Sequence, residues 1–229
     1  MNTKHKPIYK KFLRLRENIT GSKKVLVFKK KKWGFLKKKS VKLNKFLNHN
    51  LHQVSKTAKP FKNLYKSQLL TKQKVKLYYT KLSDNKLKAL CKKASSKSNS
   101  LKRKKTFDLL FHLLENRLDV ILFRANVVSN ILTAKQLISH GHVFVNNKKV
   151  LSSNFLLKVG DMIELSKKIN PLVNKNLLDK KFNFIIPNYL EVNKIIFKFY
   201  YINEFSFDKL LGFSPFWCDF QNLISSYNK

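Results

Sequence analysis

The chain has 229 residues, 49 of them Lys or Arg against 12 Asp or Glu, for a formal net charge of +37. Its 43% hydrophobic content is enough to bury a core, which separates it from a disordered polycation. So much positive charge repels itself unless a polyanion compensates it, and RNA in bulk is the natural counterion, with an anionic membrane surface the weaker alternative. Two distant cysteines, Cys91 and Cys218, form neither a disulfide framework nor a close-spaced zinc site and read as reduced thiols. The richest apolar stretch, Phe182 to Phe207, is broken by Glu191, Lys194, Lys198 and Glu204, so no membrane span is expected, and the N-terminus lacks the apolar core of a signal peptide.

The charge is unevenly placed. Residues 1–105 hold 34 basic and 2 acidic side chains, Glu17 and Asp84, whereas residues 106–229 hold 15 basic and 10 acidic. The first half cannot be a conventional self-contained globule; the second can. Lysine outnumbers arginine 44 to 5, although the planar guanidinium suits phosphate better. That bias matches A/T-rich codons and points to an organelle genome, a mitochondrion ahead of a plastid.

In chain order, residues 1–60 read as a basic arm whose runs Lys29–Lys32 and Lys37–Lys39 flank Trp33, Gly34 and Phe35. An aromatic there could stack on a base, pack on a protein neighbour, or serve as a hydrophobic anchor inside a loop. From Phe61 to Lys93, Leu64, Leu69, Val75, Leu77, Tyr78, Leu82, Leu87 and Leu90 recur at helical steps, predicting two or three helices, and Ser95–Ser100 reads as a polar linker. Thr106 is a candidate N-cap for a helical stretch reaching Arg124, with Leu109, Leu110, Leu113, Leu114, Leu118, Ile121 and Leu122 as its apolar face. Ser129 or Asn130 can cap the next helix, which runs through Ser139 and ends at Gly141.

The period then changes to two. Val143 and Val145 alternate with Phe144, Asn146–Asn147 offers a tight turn, and Val150 follows in the return strand. Lys158–Asp161 is a further turn signal leading into Met162–Leu165, and Tyr189–Val192 and Ile195–Phe199 are the last strand candidates. After position 180 stand 14 of the 29 aromatics, so the C-terminal part supplies packing surface.

Helix, turn, helix and hairpin follow one another from Arg117 to Leu165. Arg117-Leu118-Asp119, Arg124, Ala134 to Val143, Val145 to Val150 and Lys158 to Leu165, in that order and spacing, strongly resemble the RNA-binding module of the small-subunit ribosomal protein S-four family. Thr71–Tyr78 resembles that family's Lys-Gln-Lys-Val segment, Tyr189–Asn193 its Trp-Leu-Glu-Val-Asp strand, and Pro7–Arg16 its basic N-terminal opening. Asn146-Asn147 replaces the usual hairpin Asn-Gly, Asn126 stands where a glycine is expected, and the four-cysteine cluster of some bacterial members is absent. Segments 20–60 and 200–229 have no clear counterpart in the family.

The candidate RNA-binding residues follow from both readings. Arg117 and Arg124 are seven apart, two helical turns, so both are expected to project from one face; Lys135, Ser139 and His142 follow at four- and three-residue steps on the second helix. His140 closes the second helix, and Lys148 and Lys149 crown the hairpin beside Asn146. The resemblance adds Gln136 on the helix, and Lys72, Lys74 and Lys76 in the Lys-Gln-Lys-Val segment; the arm contributes Lys29, Lys30, Lys37 and Lys38. Such a surface matches the phosphates and 2′-hydroxyls of a shallow A-form minor groove and reads shape rather than sequence. Asp119 is weighed chiefly as a structural partner. His140 and His142 lack a third ligand nearby, so no metal is expected, and no GxxxxGK or GxGxxG run suggests a nucleotide cofactor.

The resemblance implies an α+β fold: a basic arm (1–60), a small helical lobe (61–105), an α+β lobe (106–200) with the module at about 116–165, and a C-terminal extension (201–229) packing on the helical lobe or a neighbour. It implies a non-catalytic constituent of the small ribosomal subunit, mitochondrial by the codon argument. Its partners would be the 5′ domain of small-subunit rRNA and adjacent ribosomal proteins, near the side where mRNA enters, with no membrane and no homo-oligomer. The rivals are an RNA-modifying enzyme or synthetase, which needs a catalytic domain neither flank provides, and a stand-alone RNA-binding stress factor, against which the long basic arm argues.

Overall fold

The computed structural model describes residues 9–19, 27–38, 64–79, 82–101, 105–169, 186–193, 197–203 and 220–227. Its helices are α1 (Tyr9–Leu15), α2 (Leu64–Tyr78), α3 (Asp84–Leu101), α4 (Thr106–Glu115), α5 (Leu118–Arg124), α6 (Ile131–Ser139) and α7 (Phe220–Ser225). The strands are β1 (Val143–Val145), β2 (Lys148–Lys149), β3 (Met162–Leu165), β4 (Leu190–Asn193) and β5 (Lys198–Tyr201). Helices and an antiparallel sheet together make the α+β class. Two compact units divide the chain, residues 1–88 with 208–229, and residues 89–207. None of the described helices is long and apolar enough to cross a membrane.

In the first unit α1 and α7 both pack on α2. Phe12, Leu15, Ile19, Val75, Leu77, Tyr78, Leu223 and Ile224 are buried there, each worth roughly 1.5–3 kcal/mol when fully withdrawn from water. Leu69, expected among the apolar positions of α2, lies instead on its exposed side. Ser83 caps α3 by accepting a hydrogen bond from the Lys86 amide through its Oγ at 3.3 Å.

The predicted linker Ser95–Ser100 is helical, the last part of α3. Ser95 Oγ donates to the Cys91 carbonyl at 3.1 Å and Ser96 Oγ to that of Lys93 at 3.0 Å, so these hydroxyls turn back onto the helix instead of opening a loop. Buried Cys91 and Ala94 continue an apolar seam that the serines obscure in the sequence.

The second unit holds the sheet, ordered β2-β1-β3-β5-β4 with every neighbour antiparallel. Its inward side chains alternate as a half-buried sheet requires, with Val143, Val145, Ile163, Leu165, Phe199 and Tyr201 buried. The last two strands lie slightly downstream of their predicted ranges. Tyr201 Oη donates to Asn116 Oδ1 at 2.7 Å and so ties β5 to the corner between α4 and α5.

That corner corrects the single helix expected from Thr106 to Arg124. Arg117 is extended, with φ −71° and ψ 137°, and forms an antiparallel bridge with Leu156. The Leu118 amide donates to the Phe155 carbonyl at 2.9 Å and the Leu157 amide to that of Asn116 at 3.0 Å, so the chain's return past the corner replaces helical bonds with bridge bonds. All seven residues of the predicted apolar face are nevertheless buried. Lys105, not Thr106, occupies the N-cap of α4, and its side chain makes no cap hydrogen bond.

Candidate nucleic-acid interface

Two Schellman closures set the path of the module. At the end of α5, Asn126 has φ 60°; its amide donates to the Phe123 carbonyl at 3.1 Å and the Val127 amide to that of Leu122 at 3.2 Å. The departure from glycine at this position is therefore accommodated, because asparagine enters the left-handed region more readily than most residues. At the end of α6, Gly141 has φ 72°, with Gly141 donating to Ile138 at 2.9 Å and His142 to Leu137 at 3.1 Å. Asn130 starts α6 by accepting from the Thr133 amide at 3.0 Å.

The hairpin uses Asn146 and Asn147 at φ 48° and 65°, the double left-handed turn that matches strand twist. Asn146 fixes the hairpin to the next strand, since its Oδ1 accepts from the Met162 amide and its Nδ2 donates to Asp161 Oδ1, both at 2.9 Å. Asp161 Oδ2 also accepts from the Lys158 amide at 2.7 Å, closing the turn before β3. Asn146 is exposed, yet its amide is committed to the fold.

The candidate residues fall into distinct environments. Lys135, Gln136, Ser139, His140, Lys148 and Lys149 are exposed, along α6 and across the hairpin that follows it. Ser139 turns its Oγ back to the Gln136 carbonyl at 2.9 Å. His142 is half-buried, its Nδ1 3.2 Å from Ser166 Oγ, and its ring lies 6.2 Å from that of His140. Lys149 lies over Gly141 so closely that a Cβ there would meet Lys149 Cε at 1.9 Å. Among the described residues no group of three metal-ligating side chains occurs.

Arg117 and Arg124 are placed otherwise. The break at the corner removes the continuous helix that was to put both on one outward face, and both are buried, at 3% and 4% exposure. Arg124 forks onto Glu115, Nε to Oε2 and Nη2 to Oε1, each at 3.0 Å. Arg117 Nη2 donates to Asp119 Oδ2 at 2.6 Å. Burial pushes the Asp119 carboxyl above the usual aspartate range, against the pull of the Arg117 charge and hydrogen bond. These two arginines brace the module's helices, and lysines such as Lys135, Lys148 and Lys149 carry its exposed charge.

In the first unit, Lys72 Nζ sits 4.1 Å from the Tyr227 ring centroid, Lys74 pairs with Glu17 Oε2 at 2.7 Å, and Lys76 pairs with Asp84 Oδ2 at 2.5 Å. All three lysines thus have intramolecular partners. Lys29, Lys30 and Lys38 are exposed and Lys37 is half-buried. The sequence reading missed Glu115, whose signal is a lone carboxylate directly after the largely apolar stretch Leu109–Leu114. It also missed Lys167 and Lys168, exposed on a 3-10 turn whose preceding residue, Ser166, donates its amide to the His142 carbonyl at 2.9 Å.

Two helices closed by left-handed caps, a hairpin, and a cationic outer face define a small α+β module, and residues 116–163 match the S4 domain family. The chain is 35% identical over 144 residues to small ribosomal subunit protein uS4 of Parvibaculum lavamentivorans, covering 62% of this chain and 68% of that protein. It is 37% identical over 129 residues to the uS4 of Bradyrhizobium diazoefficiens, covering 55% and 59%, and 38% identical over 102 residues to that of Orientia tsutsugamushi, covering 44% and 47%. The chain belongs to the uS4 family. The match to the Bradyrhizobium relative spans about three fifths of that protein's length.

Proposed function

We propose that the chain is a non-catalytic constituent of a small ribosomal subunit and binds the 5′ domain of its rRNA. The observation that carries this is the exposed row Lys135, Gln136, Ser139, His140, Lys148 and Lys149 on an S4 domain, in a chain with a net charge of +37. The folded module meets the backbone of an A-form helix, and the lysine-rich arm supplies sequence-independent attraction to the same polyanion. Arg117 and Arg124 act behind this surface by holding α5 in place. The ribosome is that of an organelle, a mitochondrion ahead of a plastid, on the strength of 44 lysines against 5 arginines. Adjacent small-subunit proteins, near the side where mRNA enters, are the remaining partners.

Two measurements test this reading. In a salt-washed organelle lysate the chain should sediment with small subunits; recovery in the free fraction overturns the assignment. On an rRNA 5′-domain fragment, replacing both Lys148 and Lys149 with alanine should lower the log–log salt slope by about 1.5, two phosphate contacts' worth. An unchanged slope moves the contact surface off the hairpin.

A further inference from the structure

Trp33 and Phe35 stand between two lysine runs, and the fold treats these two aromatics in opposite ways. Trp33 is buried and packs on Phe28, with ring centroids 4.9 Å apart and planes tilted by 52°. Leu36 is 1% exposed, whereas Phe35 between them is 38% exposed. The 3-10 turn Lys31–Trp33 runs directly into helical residues 34–38, so buried side chains on either side fix the backbone that carries Phe35 outward. Lys29, Lys30, Lys31, Lys32 and Lys38 are exposed around it.

The charge selects the partner. No acidic residue occurs in the sequence between Glu17 and Asp84, so nothing along this stretch of chain tempers the lysines on either side of Phe35. A neutral or basic protein surface would gain the phenyl contact only by desolvating ammonium groups without pairing them. A nucleotide offers both halves at once, a phosphate for the lysines and, one sugar away, a flat base for the ring. We infer that Phe35 is a stacking platform for an unpaired RNA base, with the flanking lysines holding the phosphates on either side. The inference rests on the RNA-binding reading above and names a second mode of contact: the S4 domain meets paired RNA, and Phe35 takes a base that has left the stack. A continuous duplex keeps its bases inside and cannot use it.

The full-length chain is titrated with a single-stranded ten-nucleotide RNA carrying 2-aminopurine and with a fully paired ten-base-pair RNA, at about 0.3 M salt to suppress non-specific lysine binding. Phe35→Ala should weaken single-strand binding about five- to hundred-fold, the range for loss of one stacked base, and abolish the 2-aminopurine quench. Duplex affinity should stay within twofold. Phe35→Tyr should retain both affinity and quench, and Phe35→Leu, which keeps apolar bulk without a π face, should behave like the alanine variant. Wild-type behaviour in Phe35→Ala or Phe35→Leu overturns the inference. So does equal loss on both RNAs, or a loss confined to binding of small-subunit proteins. If the wild-type chain binds neither RNA, the RNA-binding reading itself fails, an outcome separate from all of these.

Discussion

The two units of the chain neutralise their internal charge differently. In residues 89–207, two ion pairs lie inside the fold, with Glu115 and Asp119 fully buried against Arg124 and Arg117, while Glu164 and Lys198 pair nearer the surface. In the helical unit the pairs lie nearer the surface, Glu17 with Lys74 and Asp84 with Lys76, and Lys72 rests on an aromatic ring. The α+β unit thus pairs its two buried arginines with carboxylates of its own. The helical unit has few carboxylates for its many lysines, and on the proposed function an external polyanion supplies the remaining counter-charge.

The largest expected effect comes from breaking the internal match. Arg124→Ala or Glu115→Ala leaves one buried charge without its fork partner and should destabilise the α+β unit by about 3–5 kcal/mol. Glu115→Leu with Arg124→Met should cost less than either single change, because no charge is left stranded. In the helical unit Lys74→Ala should cost less, about 1–3 kcal/mol, because the Glu17 carboxylate it leaves unpaired is nearer to water than Glu115. Hydrogen exchange resolved by segment in urea measures all four. Equal losses for Arg124→Ala and Lys74→Ala would erase the contrast between the units.

An intermediate effect is expected at the end of α6. Gly141→Ala places a Cβ at φ 72° and drives it into Lys149, so it should cost about 1–2 kcal/mol for the left-handed backbone and also displace an exposed cation of the proposed interface. Adding Lys149→Ala removes the collision but not the backbone cost. Thermal melts and RNA titrations of both single variants and the double variant separate the two contributions. No loss of stability in Gly141→Ala would show that α6 ends differently.

Much of the α+β unit was legible because short-range rules decide it. Asn130 as a cap, Gly141 as a terminator, Asn146–Asn147 as a turn and the alternation of Val143 and Val145 each need only local chemistry. What could not be read depended on residues distant in the chain. The corner at Asn116–Arg117 breaks a pattern that is helical in sequence because residues 155–157 return to bridge it. For the same reason Arg117 and Arg124 look like surface cations on a helical wheel. Glu115 could have been suspected from its apolar surroundings, but its partner nine residues on could not be chosen without the break. The serines of α3 misled in another way: as loop formers they suggest a linker, while their back-bonds and the buried Cys91 and Ala94 keep the helix intact.

The smallest effect concerns pH and has opposite signs in the two units. The Lys76 ammonium hydrogen-bonds Asp84 and, with help from Tyr227, holds its carboxyl below the ordinary value of about 3.9, so Asp84 adds stability above that value and loses it as pH falls through the lowered one. Burial holds Asp119 above the same reference, so the native state binds a proton more tightly than the unfolded chain. Its contribution is therefore fully present below about 3.9 and is lost as pH rises through the raised value. Asp84→Asn should make stability rise less steeply with pH on the acid side of that reference, and Asp119→Asn should make it rise more steeply on the neutral side. Urea midpoints between pH 3 and 6 read both slopes. If Asp119→Asn flattened the profile instead, Arg117 would outweigh burial, and the buried pair would stabilise the ionised carboxylate as the more exposed pair of the helical unit does.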